Sequence, residues 1–154
     1  MSHILRPEAV RLLRARLRLF PAVVLLGPRQ CGKSTLARGL ARGASDTVFD
    51  LERLSDLRRL QTAPEEDLGS LQRRAGLIVI DEVQREPALL TLLRPLLDDR
   101  RRRARYLLLG SASPELVRGA SESLAGRAAY VDLTPFLAAE VGRSPARLMR
   151  LWSR

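Results

Sequence analysis

A chain of 154 residues, 45% of them apolar, is long enough to bury one core, short for two, and too apolar for a disordered segment. One cysteine, Cys31, and one histidine, His3, exclude a disulfide framework and a zinc-ligand set and point to a reducing, cytoplasmic setting, while no apolar run approaches the roughly 18 residues of a membrane span. The formal charge of +10 leaves a polyanion-binding surface open, but 4% aromatic residues disfavour the stacking platforms of single-strand binders.

Pro7 to Leu19 carries Val10, Leu13 and Leu17 at helical spacing with arginines between them, which predicts an amphipathic helix lying on a sheet. The alternative is a helix on a membrane surface. Val23 to Leu26 is a fully apolar strand of the kind found at the centre of a parallel sheet. A helix from about Lys33 to Arg42 buries Leu36 and Leu40 and stops at Gly43, and Thr47 to Leu51 is a second strand ending among Asp50 and Glu52. Residues 53–74 read as one or two polar helices broken near Pro64.

Leu77 to Glu82 is a third strand, apolar until it ends in two acids. Glu86 to Asp99 aligns Leu89, Leu92, Leu93, Leu96 and Leu97 as a helix opened by Pro87 and bent or cut short at Pro95. A charged connector, Asp98 to Arg103, precedes the strand Tyr106 to Leu109. A helix from Pro114 runs to Gly126-Arg127, and Ala129 to Leu133 is a fifth strand. Strands and helices alternating through short connectors describe an α/β fold with a parallel sheet covered on both faces.

The stretch Gly27-Pro28-Arg29-Gln30-Cys31-Gly32-Lys33-Ser34-Thr35 follows the first strand and satisfies G-x-x-x-x-G-K-[ST]. Its glycines are expected to let backbone N–H groups curl around phosphate oxygens, with Lys33 on the terminal phosphates and Ser34 on Mg²⁺. Lys33 is the only lysine among 27 basic residues, a point charge kept where a flexible ammonium suits phosphate better than a planar guanidinium. Cys31, beside a helix N-terminus, is either a reactive thiol shielded by bound ATP or an ordinary small loop residue.

Because ligands of open α/β sheets bind off the carboxyl ends of strands, Asp81 and Glu82 belong beside this loop. Asp81 is the candidate metal ligand and Glu82 the base that deprotonates a water for attack on the γ-phosphate; the bland alternative is a polar strand end. Ser111 could report the state of that phosphate or be a turn residue. Arg127, after a glycine at a helix end, could reach a phosphoryl group in cis or from a neighbouring subunit. Arg100 to Arg103 are either a solvated connector or a contact to nucleic-acid phosphates, and the arginine excess is spread over the whole sequence.

Together with Ile80-Asp81-Glu82-Val83-Gln84, Leu109-Gly110-Ser111-Ala112-Ser113, Glu122 to Arg127 and Leu133-Thr134-Pro135-Phe136, the loop resembles the bacterial and archaeal AAA-type ATPases whose P-loop domain precedes a C-terminal domain of unknown function. The resemblance covers the whole chain. It implies a P-loop NTPase sheet of order 5-1-4-3-2, ATP with Mg²⁺, Asp81 and Glu82 as the Walker B pair, a sensor role at Ser111, and Arg127 as an arginine finger through which copies self-associate. Residues 1–154 are then one ATP-binding domain without the family's C-terminal domain, whose opening the tail with Leu148, Leu151 and Trp152 resembles. The expected activity is slow Mg-dependent ATP hydrolysis. The alternatives are a nucleotide-binding fragment without turnover and an ATP-gated nucleic-acid-binding protein.

Overall fold

Strands that are apolar at every position must be covered on both sides, and the computed structural model, described over residues 6–135, shows how. The elements are α1 (Pro7–Leu19), β1 (Ala22–Leu26), α2 (Lys33–Leu40), β2 (Thr47–Asp50), α3 (Leu54–Thr62), α4 (Pro64–Gln72), β3 (Leu77–Asp81), a 3-10 turn at Val83–Arg85, α5 (Ala88–Asp98), β4 (Arg105–Gly110), α6 (Pro114–Ser123) and β5 (Ala128–Asp132). All strand pairs are parallel, in the order β2-β3-β4-β1-β5, which is the expected 5-1-4-3-2 read from the other edge. The tail with Leu148, Leu151 and Trp152 lies outside the described residues.

Successive strand residues alternate between two cores, as a period of two requires. Val24, Ile78, Ile80, Tyr106 and Leu108 face the layer carrying Leu60 of α3, Leu68 of α4, Leu93 of α5 and Leu116 of α6. Val23, Leu25, Val79, Leu107 and Val131 face Leu13 of α1 and Leu36 and Ala37 of α2. The helices therefore cover both faces, four against two.

Two helix boundaries have local causes. Pro64 opens α4 and so breaks residues 54–72 into two helices, as expected of a proline that suits only a first turn. Of the two outcomes expected at Pro95, a bend or an early stop, the stop does not occur; α5 runs on to Asp98. A proline inside a helix costs about 3 kcal/mol, whereas Leu89, Leu90, Leu93 and Leu97 are buried on the opposite face at about 1.5–3 kcal/mol each. Pro95 and Thr91 are both exposed, so the Thr91 carbonyl that loses its helical donor can bond to water.

The register places the carboxyl ends of all five strands along one edge. Leu26 pairs with Gly110 on one side and Asp132 on the other, and Asp50 pairs with Asp81. The loop 27–32 leaves β1 at that edge, between the ends of β4 and β5.

Candidate nucleotide site

Gly27 stands where β1 passes against the end of β5. A Cβ there would meet the Leu133 carbonyl oxygen inside the 3.0 Å that real Cβ atoms essentially never breach, and the Cys31 Sγ at 2.9 Å. The residue is thus a glycine because of its own neighbouring strand, independently of any phosphate. Gln30 (φ 62°) and Gly32 (φ 92°) then turn through left-handed conformations into α2. Lys33, 5% exposed, folds its ammonium back over the loop, donating to the carbonyls of Gly27 (2.9 Å) and Pro28 (2.7 Å). No side chain caps α2, so the N–H groups of its first turn have no side-chain acceptor and can act as donors to an anion. The loop is braced from behind by Arg6, whose guanidinium donates to the carbonyls of Thr134 (2.8 Å) and Cys31 (3.4 Å).

Across the cleft, Asp81 ends β3 at 4% exposure, with the Ser34 hydroxyl within hydrogen-bonding reach of its carboxylate and the Glu82 N–H donating to it at 3.0 Å. Burial pushes this carboxyl above its ordinary range; the Ser34 contact opposes that, and the charges of Glu82 and Asp50 add to it. Glu82 itself sits in a left-handed conformation (φ 58°, ψ 43°), which costs a non-glycine residue about 1 kcal/mol or more and is seen most often where function holds the backbone. Val83, fully buried, pins the strained turn, and the Gln84 side-chain amide donates to the Glu82 carboxylate. The cleft between loop and acids holds about 440 Å³ and is lined by Arg29, Gln30, Gly32, Lys33, Ser34, Thr35, Glu52 and Glu82.

Residues 19–142 match the family described as AAA domain, four-fifths of the chain. The chain belongs to that AAA family. Two uncharacterized proteins, of Mycobacterium bovis and Mycobacterium tuberculosis, are each 46% identical over 149 residues, and this chain spans 97% of its own length but 32% of theirs. A Walker-type ATPase of Pyrococcus abyssi superposes with a TM-score of 0.69 at 17% identity, covering 98% of this chain and 58% of that one. Hsp104 solved with ATPγS and casein gives 0.62 at 15% identity, covering 96% and 29%. PCH-2 of Caenorhabditis elegans gives 0.57 at 20%, covering 84% and 41%. At these identities the solved structures establish the P-loop ATPase fold.

In this AAA domain the remaining sequence-predicted residues divide. Gly27, Gly32, Lys33, Ser34, Asp81 and Glu82 come together, with Arg29, Gln30 and Thr35 at the mouth and Pro28 contributing its carbonyl. Ser111 follows Gly110 on the strand beside β1, on the same edge but outside the cleft lining. Cys31 is 3% exposed, packed with Leu13, Leu36 and Val131, so the loop's thiol is a core side chain and the reactive alternative is not supported. Arg127 lies at the other end of the sheet: its carbonyl accepts from Ala22 N–H, five strand residues before the loop, or about 16 Å at ~3.3 Å per residue. Its guanidinium forks onto Asp98, both bonds 2.7 Å. That position sets it apart from its own chain's loop.

Three contributors escaped the sequence reading. Glu52 lines the cleft together with Glu82; its place two residues beyond the end of β2 was the available signal, since strand ends collect at the ligand edge. Gln84 stands in the stretch that carries the resemblance, but its bond to Glu82 depends on the left-handed turn at Glu82, and Arg6 as the brace had no signal, because it reaches Thr134 across 128 residues.

Proposed function

We propose that this AAA domain binds ATP in the loop and hydrolyses its terminal phosphate. The observation that carries the reading is the convergence of the Lys33 ammonium, the Ser34–Asp81 pair and the Glu82 carboxylate on one cleft. Lys33 would exchange the Gly27 and Pro28 carbonyls for β- and γ-phosphate oxygens, and the first turn of α2 would supply N–H donors. Glu82 would accept a proton from water as the water oxygen bonds to the γ-phosphorus; the bridge to the β-phosphate breaks, giving ADP and inorganic phosphate, and the proton passes to solvent.

The donor set fits Mg²⁺. Ser34, half-buried at the cleft, and the buried Asp81 offer two neighbouring hard oxygens, and no group of three or more His, Cys, Asp or Glu among the described residues forms a full protein cage. When bound, the ion supplies charge neutralisation on the phosphates. Ser111, on the same edge as the loop but outside the cleft lining, would sense the terminal phosphate only by reaching in from β4, and Arg127 would have to leave Asp98 to serve a neighbouring copy.

A second reading, nucleotide binding without turnover, is favoured by the Gln84 bond that already occupies the Glu82 carboxylate. Phosphate release by the wild type and by Glu82→Gln separates the two. The proposal expects measurable release that the substitution abolishes while labelled ATP stays bound. Release undiminished in Glu82→Gln would remove the base assignment, and no release by a wild type that binds ATP would favour the second reading.

A further inference from the structure

The arginine excess is spread along the sequence but not over the molecule. The loops that enter the strands, residues 16–21, 41–46, 73–76, 98–105 and 124–127, all meet at the amino-terminal edge of the sheet, opposite the cleft. They hold eleven arginines and three aspartates, an excess of eight positive charges. All three aspartates are engaged: Asp46 with the Gly43 and Leu77 N–H groups, Asp98 with Arg127, Asp99 with Arg101. The carboxyl-end loops, residues 27–33, 50–53, 81–87, 110–113 and 132–135, hold four cations and six carboxylates.

Helix dipoles explain part of this. Five helices end at the arginine-rich edge, and each C-terminus is equivalent to about half a negative charge, so roughly 2.5 positive charges would balance them. The excess of eight is about three times that.

The edge is also held in one shape. The Gln72 carbonyl accepts from Arg103 N–H (2.7 Å) and Ala104 N–H (3.0 Å), its buried amide oxygen accepts from the Tyr106 hydroxyl, and Arg105 N–H bonds Gly76 while its guanidinium bonds the Leu17 carbonyl at the end of α1. Arg73, Arg74, Arg100 and Arg103 are thereby gathered on adjoining loops, all exposed, with no carboxylate in ion-pair distance among the described residues.

We infer that this edge binds the phosphodiester backbone of nucleic acid, independently of sequence and of the ATP cleft. Guanidinium groups match phosphate bidentately and repeat along a pre-shaped ridge. The scarcity of aromatic residues favours backbone contact to a duplex over stacking on single strands. Leu19 is the exposed large hydrophobic residue of these loops among the described residues, so the broad apolar face that anchors a helix in a bilayer is not built here.

The test is fluorescence anisotropy of a labelled 20-base-pair duplex against salt, with wild type, a variant carrying Gln at 73, 74, 100 and 103, and a control carrying Gln at 11, 58, 94 and 118. Both variants lose four exposed arginines, but the control's lie away from the edge. If half of the four edge arginines contact phosphate, the salt slope becomes shallower by about 1.8 and affinity at about 0.1 M salt falls roughly 60-fold. The control is expected to keep most of its affinity, and all three chains to bind ATP alike, which also checks that they fold. The pair Arg100→Gln, Arg103→Gln serves as a milder version. Equal losses in edge variant and control, absence of duplex binding by the wild type, or binding to phosphatidylserine vesicles without duplex binding would each overturn the proposal.

Discussion

Gly27→Ala tests what the first glycine of the loop is for. The added methyl would stand on the order of 1 Å closer to the Leu133 carbonyl oxygen than the ~3.3 Å at which carbon and carbonyl oxygen ordinarily meet. That oxygen cannot swing away: the Leu133 N–H is bonded to the Leu26 carbonyl at 2.7 Å and the Leu133 side chain is buried. On the other side the methyl meets Cys31 Sγ, itself in the core. Overpacking of this kind costs about 1–3 kcal/mol, which for a domain of this size lowers Tm by roughly 3–10 °C. Gly39→Ala is the internal comparison, since a Cβ there meets nothing within 4 Å inside α2 and should raise stability by about 0.5–1 kcal/mol. Thermal unfolding without nucleotide, followed by ATP titration, reads both. Gly27→Ala should melt lower before any ligand is added and also bind ATP less well. If it melts with the wild type and only ATP binding suffers, the requirement belongs to the phosphate and the strand-contact argument is refuted.

Lys33→Ala should weaken ATP binding by about 2–5 kcal/mol, the cost of removing one partner of a buried charge pair, a loss of ~30-fold or more by calorimetry; equal affinity would remove Lys33 from the phosphates. Asp81→Asn should raise the melting temperature of the nucleotide-free chain at pH 7. Burial raises this carboxyl, so the folded chain holds the proton more tightly than the unfolded one, and the group costs stability once pH exceeds the ordinary carboxylate range of about 4. The difference between the two chains should therefore shrink as pH falls through that window, and a variant less stable at pH 7 would contradict the desolvation argument. Cys31, being buried, should react with a thiol reagent at a rate that follows unfolding, with denaturant accelerating it far more than removal of ATP; fast labelling of the native, nucleotide-free chain would show the loop to be open.

Much of the site was legible because it is local. The spacing from Gly27 to Ser34 lies within one turn, and Leu77 to Glu82 announces an apolar strand ending in acids, so both needed only a parallel sheet to be brought to one edge. The strand alternation likewise follows from runs with no polar face. That Arg127 lies at the end of the sheet away from the cleft follows from its place just before the fifth parallel strand. The sequence could not show that Gly27 answers to Leu133, that Cys31 is a core residue, or that α5 continues past Pro95, because each depends on what packs against the residue from a distant segment. The charge pattern is the clearest case. Parallel strands joined by helices send alternate loops to opposite edges, so residues that interleave along the chain separate in space: the loops before strands collect arginine, and the loops after them collect the acids and the phosphate-binding turn. What looked like a uniform compositional bias in one dimension becomes two faces of opposite character once the crossovers are made.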